Sequence, residues 1–198
     1  MRENVYIHST ATVSDDARIG NGTKIWNYSQ IRENVVIGTD CNIASFVYLD
    51  FDVKVGDKVK IQNRVSIYHQ SIIEDGVFIG PHVCFSNDKT PRAITVAGQP
   101  KSNSDWEASK IYVKKGASIG ANSTILPNIT IGRFAMIGAG SVVTKDVPDF
   151  GLFIGNPAKL IGFVCKCGRK IYNGNLKEPI MKKCLHCGTE VKLEQLGE

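Results

Sequence analysis

Aliphatic residues recur at every sixth position from Ile7 to Phe85. The run reads Ile7, Val13, Ile19, Ile25, Ile31, Ile37, Ile43, Leu49, Val55, Ile61, Ile67, Ile73, Ile79 and Phe85. The beat then stops. It resumes at Val113, twenty-eight residues later and four residues out of phase, and continues through Ile119, Ile125, Ile131, Ile137 and Val143. Two residues before most of these positions stands a small or β-branched residue, such as Ala17, Thr23, Ser29, Val47 or Val65. Glycine often follows, as at Gly20, Gly38, Gly56 and Gly120. Two inward side chains flanking one outward side chain make a short strand, because side chains alternate faces. The other three positions turn a corner, where Gly, Asn and Asp tolerate positive φ. Six residues per strand and turn fit no helical period and are a signature of a parallel β-helix. The pattern therefore predicts an all-β chain.

The repeat resembles that of the hexapeptide-repeat acyltransferases. The resemblance implies a left-handed parallel β-helix with three hexapeptides, or eighteen residues, per coil. Left-handed crossovers depart from the usual right-handed rule. Residues eighteen apart then stack at the strand spacing of about 4.8 Å. Cys41 takes an inward small position, as a buried thiol, and Cys84 points outward between Val83 and Phe85.

The beat is interrupted by the polar stretch 86–110, which holds two prolines and a glycine and reads as an inserted loop. Long loops on a regular scaffold usually carry function. Ile94–Val96 and Trp106 in this loop require a surface to pack on, such as a neighbouring subunit. The ladder independently places His69 and Asn87 one above the other at one corner, with His82 at the preceding corner. A polar cluster of His69, Asn87, Asp88 and His82 follows as an expectation. The alternative for both histidines is that they are exposed corner residues.

Two segments sharpen the resemblance. One is Lys60-Ile61-Gln62-Asn63-Arg64-Val65-Ser66-Ile67-Tyr68; the other is Gly80-Pro81 followed by Phe85, Asn87, Asp88, Pro91, Arg92 and Ala93. Over roughly the first 160 residues the chain is similar to the branch that acetylates the 3-amino group of UDP- or dTDP-linked sugars. The resemblance implies acetyl-CoA as co-substrate, a nucleotide-linked amino sugar as acceptor and a homotrimer with sites between subunits. It places Asn87 beside the amine. Gln62, Asn63, Asp88 and Arg92 are candidate acceptor contacts. Arg92 suits a bidentate grip on phosphate or carboxylate, or alternatively braces the loop by pairing with Asp88. A histidine, His69 or His82, can accept the amine proton, and the sulfur leaving group is the other acceptor.

For the acyl donor, Ala121, Ala139 and Pro157 fall eighteen apart, as do Ser141 and Lys159. A column of small residues makes a shallow groove; the resemblance implies that the pantetheine arm of CoA runs along it and places Lys159 near the CoA phosphates. No P-loop or dinucleotide fingerprint points to ATP or NAD.

The C-terminal stretch pairs Cys165-x-Cys167-Gly168 with Cys184-x-x-Cys187-Gly188. Two close cysteine pairs read as a structural Cys₄ zinc ribbon; two disulfides are the alternative. The expected organisation is a β-helix over 1–160 and a zinc-ribbon appendage over 161–198. With a formal net charge of +5, the composition gives no argument for nucleic acid as a partner. No apolar leader or membrane-length run is visible, which with the cysteine usage leads to a cytoplasmic expectation. Two other functions use the same features. A γ-type carbonic anhydrase needs three histidines on zinc, and only His69 and His82 are candidates. A non-catalytic scaffold would use the ribbon as a binding module.

Overall fold

The computed structural model describes residues 4–102, 104–105 and 109–194. Trp106 lies outside the described residues. Among the described residues there is no helix. The hexapeptides form two- or three-residue strands, beginning Tyr6–Ile7, Thr12–Val13 and Arg18–Ile19, which fall in turn into three parallel sheets. The first sheet has ten strands, the second seven and the third six. Each coil gives one strand to each sheet, so three sheets wrap one shared core of stacked aliphatic residues.

The period of six places these side chains. Ile61 and Ile67 are fully buried, while Lys60 between Val59 and Ile61 faces out. Lys60 pairs with Asn42 below and Phe78 above, a vertical step of eighteen residues. Small inward polar residues are satisfied by the next coil: Thr23 donates to the Gly38 carbonyl at 2.8 Å and Ser29 to that of Ala44 at 2.8 Å. No buried side-chain polar atom among the described residues lacks a partner. The corners take the strain instead. In most turns one residue adopts positive φ, as at Asn34, Asp40 and Asn122.

At the insertion the vertical step changes. Ile73 pairs with Val113, Ile79 with Ile119 and Phe85 with Ile125, a step of forty rather than eighteen. The loop thus adds twenty-two residues to one coil. Twenty-two is not a multiple of six, which explains the phase shift in the sequence, yet the columns realign above the loop. The loop's stem is closed at Asn87, whose carbonyl accepts the Ser109 N–H at 3.1 Å. Farther out it folds into a small antiparallel arm, with Lys101 N–H on the Ala93 carbonyl and a bridge between Ile94 and Pro100. Ile94 and Val96 are exposed on this arm.

At the top the coil shortens. Met136 pairs with Leu152 and Ile137 with Phe153, a step of sixteen. The chain then turns back: Gly151–Gly155 pairs antiparallel with Ala158–Val164, which pairs in turn with Lys170–Asn173. The first sheet therefore continues out of the coils and into the cysteine-bearing segment. The strand Ala158–Val164 crosses the boundary expected near residue 160. A second, smaller core holds Phe163, Cys165, Cys184, Val191 and Leu193.

Candidate functional site

The corner between the second and third sheets carries Asn87. His69 lies one coil below it and Phe51 one coil below that, as the ladder predicts. The His69 ring stacks on Phe51, with centroids 4.0 Å apart and 21° between planes. Its Nδ1 lies 3.1 Å from the Phe51 carbonyl oxygen. A proton on Nδ1 makes that bond, and it leaves Nε2 as the free lone pair. The His69 backbone N–H donates to Asp50 Oδ2 at 3.2 Å. Asp50 is buried, and its Oδ1 also accepts from the Tyr48 hydroxyl at 2.9 Å, the Phe51 N–H at 3.0 Å and Arg32 Nη1 at 3.2 Å. This carboxylate is the polar knot that fixes the corner beneath His69. The sequence reading missed it, although Arg32 and Asp50 stand eighteen apart. Asn87 is half-buried, and its side-chain amide has no hydrogen-bond partner among the described residues.

The expected polar cluster is only partly assembled. Asp88 sits beside Asn87 but spends its carboxylate on the Thr90 N–H, at 2.8 Å. Arg92 is exposed and donates to the Pro91 carbonyl at 2.8 Å, so it does not brace the loop through Asp88. His82 lies on the other side of the second sheet, at the corner between the first and second sheets, and is exposed. It cannot join His69 within one chain, because a full strand of the coil separates the two corners.

That other corner carries Gln62, Asn63, His82, Ala121 and Ala139. Asn63 accepts the His82 backbone N–H at 3.0 Å through its carbonyl, which ties successive coils together. The backbones approach closely here. A Cβ placed on Gly80 would lie 2.7 Å from the Ala121 nitrogen, so glycine is required. Ala121 is half-buried and Ala139 exposed, as expected of a shallow groove. Three expectations for its upper end need correction, because the eighteen-residue step fails there. Gly155, not Pro157, stands over Ala139. Ser141 is fully buried: its hydroxyl donates to the Gly138 carbonyl at 2.7 Å and accepts the Gly155 N–H at 3.1 Å, so it lines no outer groove. Lys159 pairs across the turn with Ile154 rather than standing over Ser141; it is exposed at the top of the same sheet. Of the lone thiols, Cys41 is buried and Cys84 half-buried on the outer face of the second sheet, and burial pushes both up.

The four C-terminal cysteines converge. Cys165 Sγ lies 3.6 Å from Cys187 Sγ, and Cys167 Sγ 3.7 Å from Cys184 Sγ. All four sulfurs lie within 4.8 Å of one another. These separations are far beyond a disulfide of about 2.05 Å. They match the edge of a tetrahedron with metal–sulfur bonds of about 2.3 Å, which is about 3.8 Å. Burial pushes the Cys165 thiol up to about 12, while hydrogen bonding to Thr189 pulls Cys187 down to about 6.

The repeat matches the bacterial transferase hexapeptide (six repeats) family over residues 16–50, 52–87 and 110–145. The chain belongs to the bacterial hexapeptide transferase family. Among its relatives is the dTDP-3-amino-3,6-dideoxy-alpha-D-galactopyranose 3-N-acetyltransferase of Aneurinibacillus thermoaerophilus. The two are 43% identical over 169 residues, covering 85% of this chain and 83% of the relative. The hexapeptide fold is also shared with solved structures. A variant of AntD, an N-acyltransferase from Bacillus cereus, solved with dTDP-4-amino-4,6-dideoxyglucose and coenzyme A, superposes with a TM-score of 0.58. It is 24% identical, with 82% of each chain covered. A variant of GDP-perosamine N-acetyl transferase from Caulobacter crescentus, solved with CoA and GDP-perosamine, gives a TM-score of 0.50 at 24% identity. There this chain is covered to 80% and spans 56% of the other.

For this hexapeptide transferase the candidate residues thus divide between two corners that flank the second sheet. One holds Asn87 with His69 and its Asp50 support. The other holds His82, Gln62, Asn63 and the Ala121–Ala139 groove.

Proposed function

We propose that this chain transfers the acetyl group of acetyl-CoA to the 3-amino group of a dTDP- or UDP-linked amino-dideoxy sugar. The observation that carries this reading is the 43% identity, spread over 85% of the chain, to a transferase named for that reaction. The segment from Asn87 to Ala93 supports it, because the loop leaves the coils where Asn87 offers an uncommitted amide.

The chemistry needs a neutral amine next to a thioester carbonyl. The amine nitrogen attacks the carbonyl carbon, an N–C bond forms, the C–S bond breaks, and the ammonium proton must leave. Asn87 orients the amine or donates to the developing oxyanion. His69, with Nδ1 held on the Phe51 carbonyl, offers Nε2 as proton acceptor; the departing thiolate is the other acceptor. The Ala121–Ala139 column accommodates the extended arm of CoA, with Lys159 above it for a phosphate. Gln62, Asn63, Asp88 and Arg92 are the acceptor contacts, Arg92 after a change of partner.

A homotrimer supplies what one chain lacks. The two sets of candidate residues sit on different corners, and the outward face between them is uncharged: Thr12, Gln30, Tyr48, Ser66, Cys84, Thr124 and Val142. Packing that face against a neighbour brings the Asn87 corner of one chain to the groove of the next and gives exposed Ile94 and Val96 a surface. Cys165, Cys167, Cys184 and Cys187 hold one structural zinc that organises residues 161–198, with the coils of 1–160 as the transferase unit. The carbonic anhydrase alternative lacks a third histidine beside its two candidates, His69 and His82, and no histidine of the described residues joins a potential metal cluster within one chain. No helix among the described residues is long and apolar enough to cross a membrane.

A thermal-shift panel separates the functional classes. Acetyl-CoA and dTDP or UDP should each raise Tm, and bicarbonate should not. A response to none of the nucleotides and none to acetyl-CoA would contradict the transferase reading.

A further inference from the structure

The corner between the first and second sheets carries large side chains in left-handed turns. In four successive coils the residue at positive φ is bulky: Tyr28 (59°), Phe46 (60°), Arg64 (58°) and His82 (61°). At the next corner the same place holds Asn34, Asp52, Gln70 and Asn128. A left-handed backbone strains large side chains, so such residues persist where something else requires them. Core packing does not require these. Tyr28 and Phe46 are 54% and 46% exposed. Their rings instead stack on one another along the outside of the corner, with centroids 5.0 Å apart and 24° between planes. The Arg64 guanidinium covers the upper ring at 5.3 Å.

The charge of this corner is also distinctive. Its turn positions, 8–10, 26–28, 44–46, 62–64, 80–82, 120–122 and 138–140, contain no Asp or Glu. The opposite side of the second sheet carries Glu33, Asp50, Asp52 and Asp88 at the equivalent turns. A planar stack, a guanidinium and an absence of carboxylates fit one ligand chemistry, an aromatic base joined to phosphates.

We propose that the Tyr28–Phe46–Arg64 column is the platform for the nucleotide end of the acceptor. Arg64, which is exposed, swings from the Phe46 ring to the diphosphate beside His82, and the base takes its place on that ring face. This inference rests on the transferase reading for the identity of the acceptor. Placement supports it. Phe46 lies two coils, or about 10 Å, below His82, and Ala121 and Ala139 lie above His82 on the same corner. The acyl donor then enters from the upper coils and the nucleotide from the lower ones. They meet at the height of the coil that carries Asn87.

The test is calorimetric titration of dTDP and UDP into the full-length protein, with CoA as the control ligand and light scattering on each variant. Phe46→Ala, Tyr28→Ala and Arg64→Ala should each weaken binding of the preferred nucleotide at least about fivefold. CoA affinity and oligomeric mass should stay as in the unaltered protein. Phe46→Asn is the control for folding. Asparagine suits positive φ, so this variant should melt at or above the wild-type Tm and still lose nucleotide affinity. Unchanged nucleotide affinity in Phe46→Asn overturns the platform, as does wild-type protein that binds neither dTDP nor UDP. A fall in oligomeric mass in the ring variants, with nucleotide affinity retained, would make the column a contact between chains instead. The two proposals fail separately. Ring-dependent dTDP binding without acetyl transfer removes the transferase reading and leaves the platform. Normal turnover with an unchanged KM for the nucleotide sugar in Phe46→Asn removes the platform alone.

Discussion

Asn87 is the residue to which the proposed function assigns the amine, and its position follows from two separate facts. The six-residue beat places it at a corner, and the loop that opens there leaves its amide unclaimed among the described residues. Asn87→Ala should lower kcat/KM by about tenfold or more without changing Tm, as expected for loss of an orienting or oxyanion donor. Turnover near wild type would remove it from the site. His69→Ala should flatten the acid limb of the pH–rate profile, because a base that must be unprotonated at the start contributes to that limb. An unaltered profile would leave the thiolate as proton acceptor. Asp50 answers to a different measurement. Its removal strands the part-buried N–H groups of Phe51 and His69, so Asp50→Ala should cost about 1–3 kcal/mol in a denaturant melt. A cost near zero would show that water replaces the carboxylate. At this scale the sequence was legible wherever the ladder held. It put His69 under Asn87 correctly, and it also contained the Arg32–Asp50 step that went unread. It misled at Ser141 and Pro157, where an eighteen-residue step was extended past the last full coil.

The elements are unusually plain in the sequence because each strand is two or three residues long and its burial is set by a single period. Ile61, fully buried at the centre of the stack, illustrates the cost of breaking it: Ile61→Ala should destabilise the protein by about 2–5 kcal/mol. The insertion was legible as a break but not as a shape. Its twenty-two added residues return the chain to register, a result that depends on pairing between Ile73 and Val113 and cannot be read from local pattern. The shortened final coil is hidden for the same reason. There the inward positions are filled by Val147 and Phe153, which do not keep the beat.

At the scale of the whole molecule the chain carries two groups of candidate residues on two corners and a cluster of four cysteines beyond the coils. Light scattering should give the mass of three chains, and a monomer at working concentration would undo the shared site. Metal analysis should find about one zinc per chain. The division of the candidate residues between corners was not legible beforehand, because a residue list has no faces until the coil is closed. The central claim is acetyl transfer itself. It is tested most directly by following CoA release, with acetyl-CoA and a dTDP-linked 3-amino-3,6-dideoxyhexose as substrates, and confirming the product by mass. The account predicts amine-dependent CoA release and a product heavier by one acetyl group. The absence of acetylated product from both dTDP- and UDP-linked 3-amino sugars, with folded trimer present, would contradict it.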